Sequence, residues 1–257
     1  VYYAGDKSCR LHGELNSLDQ WKSCDEYIDC RMKPTPNPLG YCGIASLPYL
    51  PPKIEKQIEL AISILVSGGL VAFPTDTVYG LGASAFIDRA VKRVYEVKGR
   101  PHHLPLPLLL ADISEIGMVA YPVPEIAWRL AERFLPGGLT LVLPKAPSLT
   151  TIATAGGNTV AVRIPNHPIP LALIRGLAAP LTGTSANISG RASPVTAEEV
   201  SHQMGGSVEL IIDGGRCPGG IESTVLDITG EVPRILREGA ISREDIERAC
   251  GMVVDVA

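Results

Sequence analysis

Apolar residues recur along the chain with two periods, and each change of period marks a new element. Ile54, Ile58, Ala61, Ile62 and Leu65 stand three or four apart, which places them on one helical face. Pro51-Pro52 suits the first turn of that helix, and Gly68-Gly69 stops it. Leu70-Val71-Ala72-Phe73, broken by Pro74, has the continuous apolar pattern of a buried strand. A turn is expected over 75–82. Asp88 is then predicted as an N-cap, and Ala90, Val91, Val94 and Val97 as the inner face of a helix running into Lys98-Gly99. Further on, the pattern predicts strands over 106–110, 139–143, 159–164, 180–184, 209–212, 223–228 and 234–236. It predicts helices over 124–134, 169–175 and 196–204 between them. Thr196 caps the last of these, with Glu198-Glu199 in its first turn, where the helix dipole favours acids. Ser242 caps a final helix, with Asp245 at the capping-box position.

Helices and short β-branched strands are interspersed without the strict βαβ rhythm of a doubly wound fold. The fold class expected is α/β, a twisted mixed sheet with flanking helices. Residues 1–52 show little periodicity and end in Leu-Pro-Tyr-Leu-Pro-Pro. The expected division is a cysteine-containing extension over 1–52 and one catalytic domain over 53–257.

Composition narrows the class. The 257 residues are 46% hydrophobic and 19% charged, enough for a substantial core. A net charge of −4 argues against coating a nucleic acid, though not against a local basic cleft. Gly (26) and Pro (22) are spread between apolar runs, the distribution of tight turns rather than of disorder. No apolar run reaches the roughly 18–20 residues that span a bilayer, and the first residues do not resemble a signal peptide. A cytoplasmic protein without membrane contact is expected. The initial Val suggests a missing upstream segment. Cys9, Cys24, Cys30 and Cys42 cluster near His12 in the extension. Free thiols, a zinc site and two disulfides all remain open there, although close Cys-x-x-Cys pairs are lacking.

The chain has no Walker loop, no Gly-x-Gly-x-x-Gly after a strand, no Gly-x-Ser-x-Gly elbow and no His-Glu-x-x-His. Its polar signals sit at strand ends. Pro74 to Gly80 offers two threonines and a tyrosine to a small ligand, or is an ordinary turn. Lys98 and Arg100, set around Gly99 and Pro101, are partners of a helix dipole or of phosphates. Arg163 ends the apolar run Val160-Ala161-Val162 and needs an anion. That anion is a substrate carboxylate, a phosphate or a buried Asp. Ser185-Ala186-Asn187 forms an anion-binding nest or a simple turn. Ser223-Thr224 opens a strand and Arg237 closes one. His102 and His103 flank the Lys/Arg loop, and His167 belongs to a turn. Cations and hydroxyls without a nucleophile–base pair point to chemistry by positioning and charge neutralisation, as in nucleotidyl transfer.

Together these segments resemble the YrdC family of L-threonylcarbamoyladenylate synthases. The matching stretches are FPTDTVYGLG at 73–82, KGRP at 98–101, LPLLLAD at 106–112, PGGLTLVL from Pro136, TVAVRIP at 159–165, TSANISGRASP at 184–194, ESTV at 222–225 and LREG at 236–239. They occur in the family's order and cover roughly 54–250. The resemblance implies a sheet folded around a deep, positively lined cavity. It implies conversion of L-threonine, bicarbonate and ATP, with Mg2+ on the phosphates, to threonylcarbamoyladenylate and pyrophosphate. A separate transferase complex would then modify tRNA beside the anticodon. By resemblance Lys98 and Arg100 are catalytic and face the phosphates. Arg237, Ser185, Asn187, Thr159 and Val195 complete the ATP site, and Thr77, Arg163 and Ser223 hold threonine. No protein-held metal is implied. Leu109 departs from relatives with His there, which puts one threonine contact in doubt. The chain resembles the short form, without an added C-terminal domain. Two other readings stand beside this one: an RNA-binding module using the basic cavity, and a carbamoyl-adenylate-forming maturation domain.

Overall fold

The computed structural model describes residues 50–257. The expected extension, with Cys9, Cys24, Cys30 and Cys42, lies outside the described residues except at its last three positions. The chain runs through α1 (Pro52–Val66), β1 (Val71–Phe73), β2 (Gly80–Gly82), α2 (Asp88–Lys98), β3 (Leu108–Leu109), α3 (Ile116–Val119), α4 (Glu125–Phe134), β4 (Leu139–Pro144) and β5 (Thr159–Arg163). It continues through α5 (Pro168–Leu177), β6 (Leu181–Thr182), β7 (Thr184–Ser185), α6 (Ala197–Met204), β8 (Leu210–Ile211), β9 (Thr224–Asp227), β10 (Arg234–Arg237), α7 (Arg243–Cys250) and β11 (Asp255–Val256).

The strands form two mixed sheets rather than one. One has the order β7-β2-β1-β8 and the other β11-β10-β9-β4-β5-β3-β6. They meet where Ser84 bridges Leu181 and where Thr182 donates its N–H to the Ala83 carbonyl at 2.9 Å. The predicted strand 180–184 is therefore two strands, and Gly183 carries the chain from one sheet to the other. A Cβ there would lie 2.5 Å from Cγ and Cδ2 of Leu109, so a side chain does not fit without displacing the Leu109 side chain.

Alternation along the long strands separates two faces. Leu139, Leu141 and Leu143 of β4 and Val160 and Val162 of β5 enter the main core. Thr140, Val142, Ala161 and Arg163, the intervening residues, face a cavity instead. A second apolar cluster joins α1 to α5 through Ile58, Ala61, Leu65, Leu173, Ile174 and Leu177.

Several local expectations are corrected. The turn expected over 75–82 contains β2, which pairs antiparallel with β1. Asp88 is not a cap: Ile87 holds the cap position without a side-chain bond, and Asp88 lies inside the first turn, where its charge suits the dipole. The strands expected over 106–110, 209–212 and 223–228 shorten to β3, β8 and β9. Neither α3 nor β11 was predicted; both are too short for periodicity to register. The other caps form: Thr196 accepts from Glu199 N at 3.2 Å, and Ser242 from Asp245 N at 3.1 Å. His167 also caps, its Nδ1 accepting from Ile169 N at the start of α5. No helix among the described residues is long and apolar enough to cross a membrane.

Candidate active site

The cavity has a volume of about 420 Å³. Its floor is the non-core face of the larger sheet, and register sets the neighbours: Leu109 beside Arg163, Val142 beside Ala161, Thr140 beside Val225, and Val225 beside Arg237. The β1–β2 turn, the end of α2, β7 and the loop after it close the remaining sides. Lys98, Arg100, Arg163, Arg191 and Arg237 line the wall against one carboxylate, Glu222. Such an excess of one charge in a concave site concentrates polyanions.

Lys98 is only 2% exposed. Its Nζ donates to the Ser185 carbonyl, to the Asn187 carbonyl at 2.8 Å and to Asn187 Oδ1 at 3.1 Å. Asn187 in turn donates from Nδ2 to the Arg191 carbonyl at 2.7 Å. The loop is thus wrapped around the ammonium, and a lysine's three protons suit these three acceptors. Burial, reinforced by Arg100 and opposed by Glu222, lowers its pKa to about 8.

Arg100 donates from Nε to the Leu104 carbonyl at 3.3 Å and from Nη2 to the Pro105 carbonyl at 3.0 Å. Burial lowers its pKa, Tyr95 opposes this and Arg237 adds to it. Arg237 grips Ser223 through the carbonyl, at 3.2 Å from Nε and 2.8 Å from Nη2, and through Oγ at 3.2 Å. Its Nη1 pairs with Glu222. Glu222 also accepts from Ser193 Oγ. Burial pushes its carboxyl up, but Ser193, Arg237, Ser185 and Lys98 outweigh burial and leave it below the usual range. Ser223 Oγ shares a 2.8 Å hydrogen bond with Thr140 Oγ1. Thr77 Oγ1 shares one of 3.0 Å with Thr75 Oγ1.

Arg163 has a protein anion: its Nη2 donates to Asp76 Oδ1 at 2.7 Å and its Nε to the Gly137 carbonyl at 2.9 Å. Of the three anions open on sequence grounds, the structure supplies an Asp, partly rather than fully buried, and still places Arg163 in the cavity wall.

Thr77, Lys98, Arg100, Arg163, Ser185, Asn187, Ser223 and Arg237 therefore surround one space. Thr159 and Val195 do not join them. Thr159 opens β5 at the end opposite Arg163, paired with Pro144. Both backbone groups of Val195 are committed, the N–H to Glu199 Oε2 at 2.6 Å and the carbonyl to Cys217 N at 2.9 Å. His102 and His103 are exposed, and His102 stacks on Tyr95 at 4.8 Å. Sequence reasoning missed Asp76, Thr140, Arg191 and Glu222. For Thr140 a signal existed, a hydroxyl alternating with leucines in Leu139-Thr140-Leu141-Val142-Leu143.

A protein-held magnesium does not fit this lining. Glu222 is committed to Arg237 and Ser193, and no group of three or more His, Cys, Asp or Glu side chains that could hold a metal occurs among the described residues.

The family model of the Sua5, YciO and YrdC proteins, described as "Telomere recombination", matches residues 63–239. Threonylcarbamoyl-AMP synthase of Bacillus subtilis is 48% identical over 200 residues, covering 77% of this chain and 58% of the relative. A putative threonylcarbamoyl-AMP synthase of Mycobacterium tuberculosis is 38% identical over 202 residues, covering 79% of this chain and 93% of the relative. The crystal structure of Pyrococcus abyssi Sua5 complexed with L-threonine superposes with a TM-score of 0.76 at 46% identity, covering 79% of this chain and 59% of that one. The chain thus spans less than two thirds of the length of the Bacillus and Pyrococcus proteins.

Proposed function

The chain belongs to the Sua5, YciO and YrdC family, and from that premise we propose that it is a threonylcarbamoyl-AMP synthase, joining L-threonine, bicarbonate and ATP with release of pyrophosphate. The observation that carries the reading is the cavity, which gathers Lys98 and Arg100 from the end of α2, Arg163 from β5 and Arg237 from β10 around one space. An amino acid with a carboxylate and a polyanionic nucleotide must be held together for this reaction.

In the proposal Arg163, Thr77 and Ser223 hold threonine, with the guanidinium on its carboxylate. Lys98, Arg100 and Arg237 face the phosphates, and the Ser185–Asn187 loop completes the nucleotide site. Thr159 and Val195 take no part. Threonine's amine and bicarbonate condense to a carbamate with loss of water. A carbamate oxygen then bonds to the α-phosphorus, the bond to the bridging oxygen breaks, and pyrophosphate leaves with the electron pair. The carbamate is a weak nucleophile, so the protein contributes alignment, exclusion of water and neutralisation of charge. Magnesium enters as part of the MgATP substrate, on the phosphates. The product is a labile mixed anhydride, passed in the cytoplasm to a transferase that modifies tRNA beside the anticodon.

Pyrophosphate release from ATP and bicarbonate, with and without L-threonine, tests the reading. Release should require threonine and fall by about 100-fold or more in Arg100→Ala, the scale expected for losing a charge aimed at the reacting group. Release indifferent to threonine would overturn it.

A further inference from the structure

Asp76 is absent from the cavity wall, yet it is tied to a residue that the synthase reading needs there. Arg163 is the last residue of β5 and 7% exposed. Two of its nitrogens are held from different segments, Nε by the Gly137 carbonyl and Nη2 by Asp76 Oδ1. Nη1 makes no hydrogen bond among the described residues. A planar guanidinium with two fixed nitrogens has no rotational freedom left, so its third nitrogen has a set direction.

Asp76 is itself anchored. Its Oδ1 also accepts from Asn166 N at 3.0 Å, and its backbone carbonyl accepts from Gly219 N at 3.1 Å. The segment leading into α5 therefore holds the carboxylate, and the 219–220 loop holds the backbone of the β1–β2 turn that carries it. Folding alone does not call for this pair. Arg163 is buried and the Asp76 side chain is 16% exposed; drawing such charges out of water brings a desolvation penalty that apolar side chains of similar volume avoid, so the pair is weak evidence of stabilisation.

We propose that Asp76 is a positioning residue: it aims the guanidinium of Arg163 so that Nη1 meets the carboxylate of the amino-acid substrate. The inference rests on the synthase reading and adds to it a determinant of amino-acid affinity outside the wall. Asp76 touches neither substrate, so its effect is confined to the threonine half of the site.

Steady-state pyrophosphate release by the full chain, for wild type, Asp76→Ala and Asp76→Asn, tests it, with KM measured separately for threonine and ATP. Removing a charge-assisted hydrogen bond should raise the threonine KM of Asp76→Ala about tenfold or more and leave the ATP KM within about twofold. Asp76→Asn keeps an oxygen for Nη2 and should recover part of the loss. An unchanged threonine KM, or equal losses for both substrates, would overturn the positioning role. If Asp76→Ala does not fold, the same comparison on Asp76→Asn decides. Absence of threonine dependence in the wild type would instead remove the synthase reading itself, and the inference with it.

Discussion

Lys98 is a lysine in a place that disfavours its charge. Burial, then Arg100, bring its pKa down from 10.5 to about 8, with Glu222 acting the other way. The unfolded chain binds this proton more tightly than the folded one. Between about 8 and 10.5, then, Lys98 alone makes stability rise with pH. Its proposed role has the opposite slope, because an ammonium that loses its proton no longer attracts phosphates. The kcat/KM for ATP, which reports the free enzyme, should fall as pH rises through about 8. A profile flat through that range would remove Lys98 from the phosphate site. At this scale the cations were legible and their partners were not. Arg163 stands out because it ends Val160-Ala161-Val162, and Lys98 because it precedes Gly99. Asp76 in a turn and Glu222 before a strand have the ordinary places of acids. Only tertiary pairing, Asp76 with Arg163 and Glu222 with Arg237, distinguishes them.

Among the elements, β9 and β10 show how local geometry delivers a side chain. They pair antiparallel, with a register irregularity between Ile235 and Arg237. A bulge of this kind bends a strand and re-aims its residues, and Arg237 emerges next to Ser223. Gly239 lets the chain leave. A Cβ there would lie 2.4 Å from the Glu222 carbonyl oxygen, 2.5 Å from Ser223 C and 2.6 Å from Thr224 N. All three are backbone atoms and cannot rotate aside. Gly239→Ala should destabilise the protein by about 3 kcal/mol, the upper end of overpacking, and weaken the Arg237–Ser223 contact with it. The urea midpoint measures the first effect and threonine-dependent pyrophosphate release the second. A change within about 0.5 kcal/mol, the range of ordinary surface substitutions, would show that the backbone yields. The pattern of apolar residues made α1, α2, α4, β4 and β5 legible, since each is long enough for a period to show. The strand β2 stayed hidden because Gly80-Leu81-Gly82 has the composition of a turn. It exists because β1 offers a partner edge.

Across the whole molecule, two sheets and the cavity they share replace the single sheet expected. Strand order was not legible, because β4 pairs with β9 in parallel across more than 80 residues of sequence, and no local pattern encodes a pairing over that distance. The arrangement has a thermodynamic consequence. Thr77 and Ser185 reach the cavity from the smaller sheet and its turns, while Thr140, Arg163 and Arg237 reach it from the larger one. The sheets touch at β6 and share the apolar clusters, so they should unfold together. A nucleotide bound between them stabilises the whole unit rather than one half. MgATP at a hundred times its Kd should add about 2.7 kcal/mol, or roughly 5–10 °C in Tm for a domain of this size. Calorimetry should show one transition moving as a unit, and Arg100→Ala should abolish most of the shift. Two transitions, with only one moved by MgATP, would mean that the cavity belongs to a single sheet energetically. An unmoved Tm at saturating MgATP would argue against the cavity as the nucleotide site.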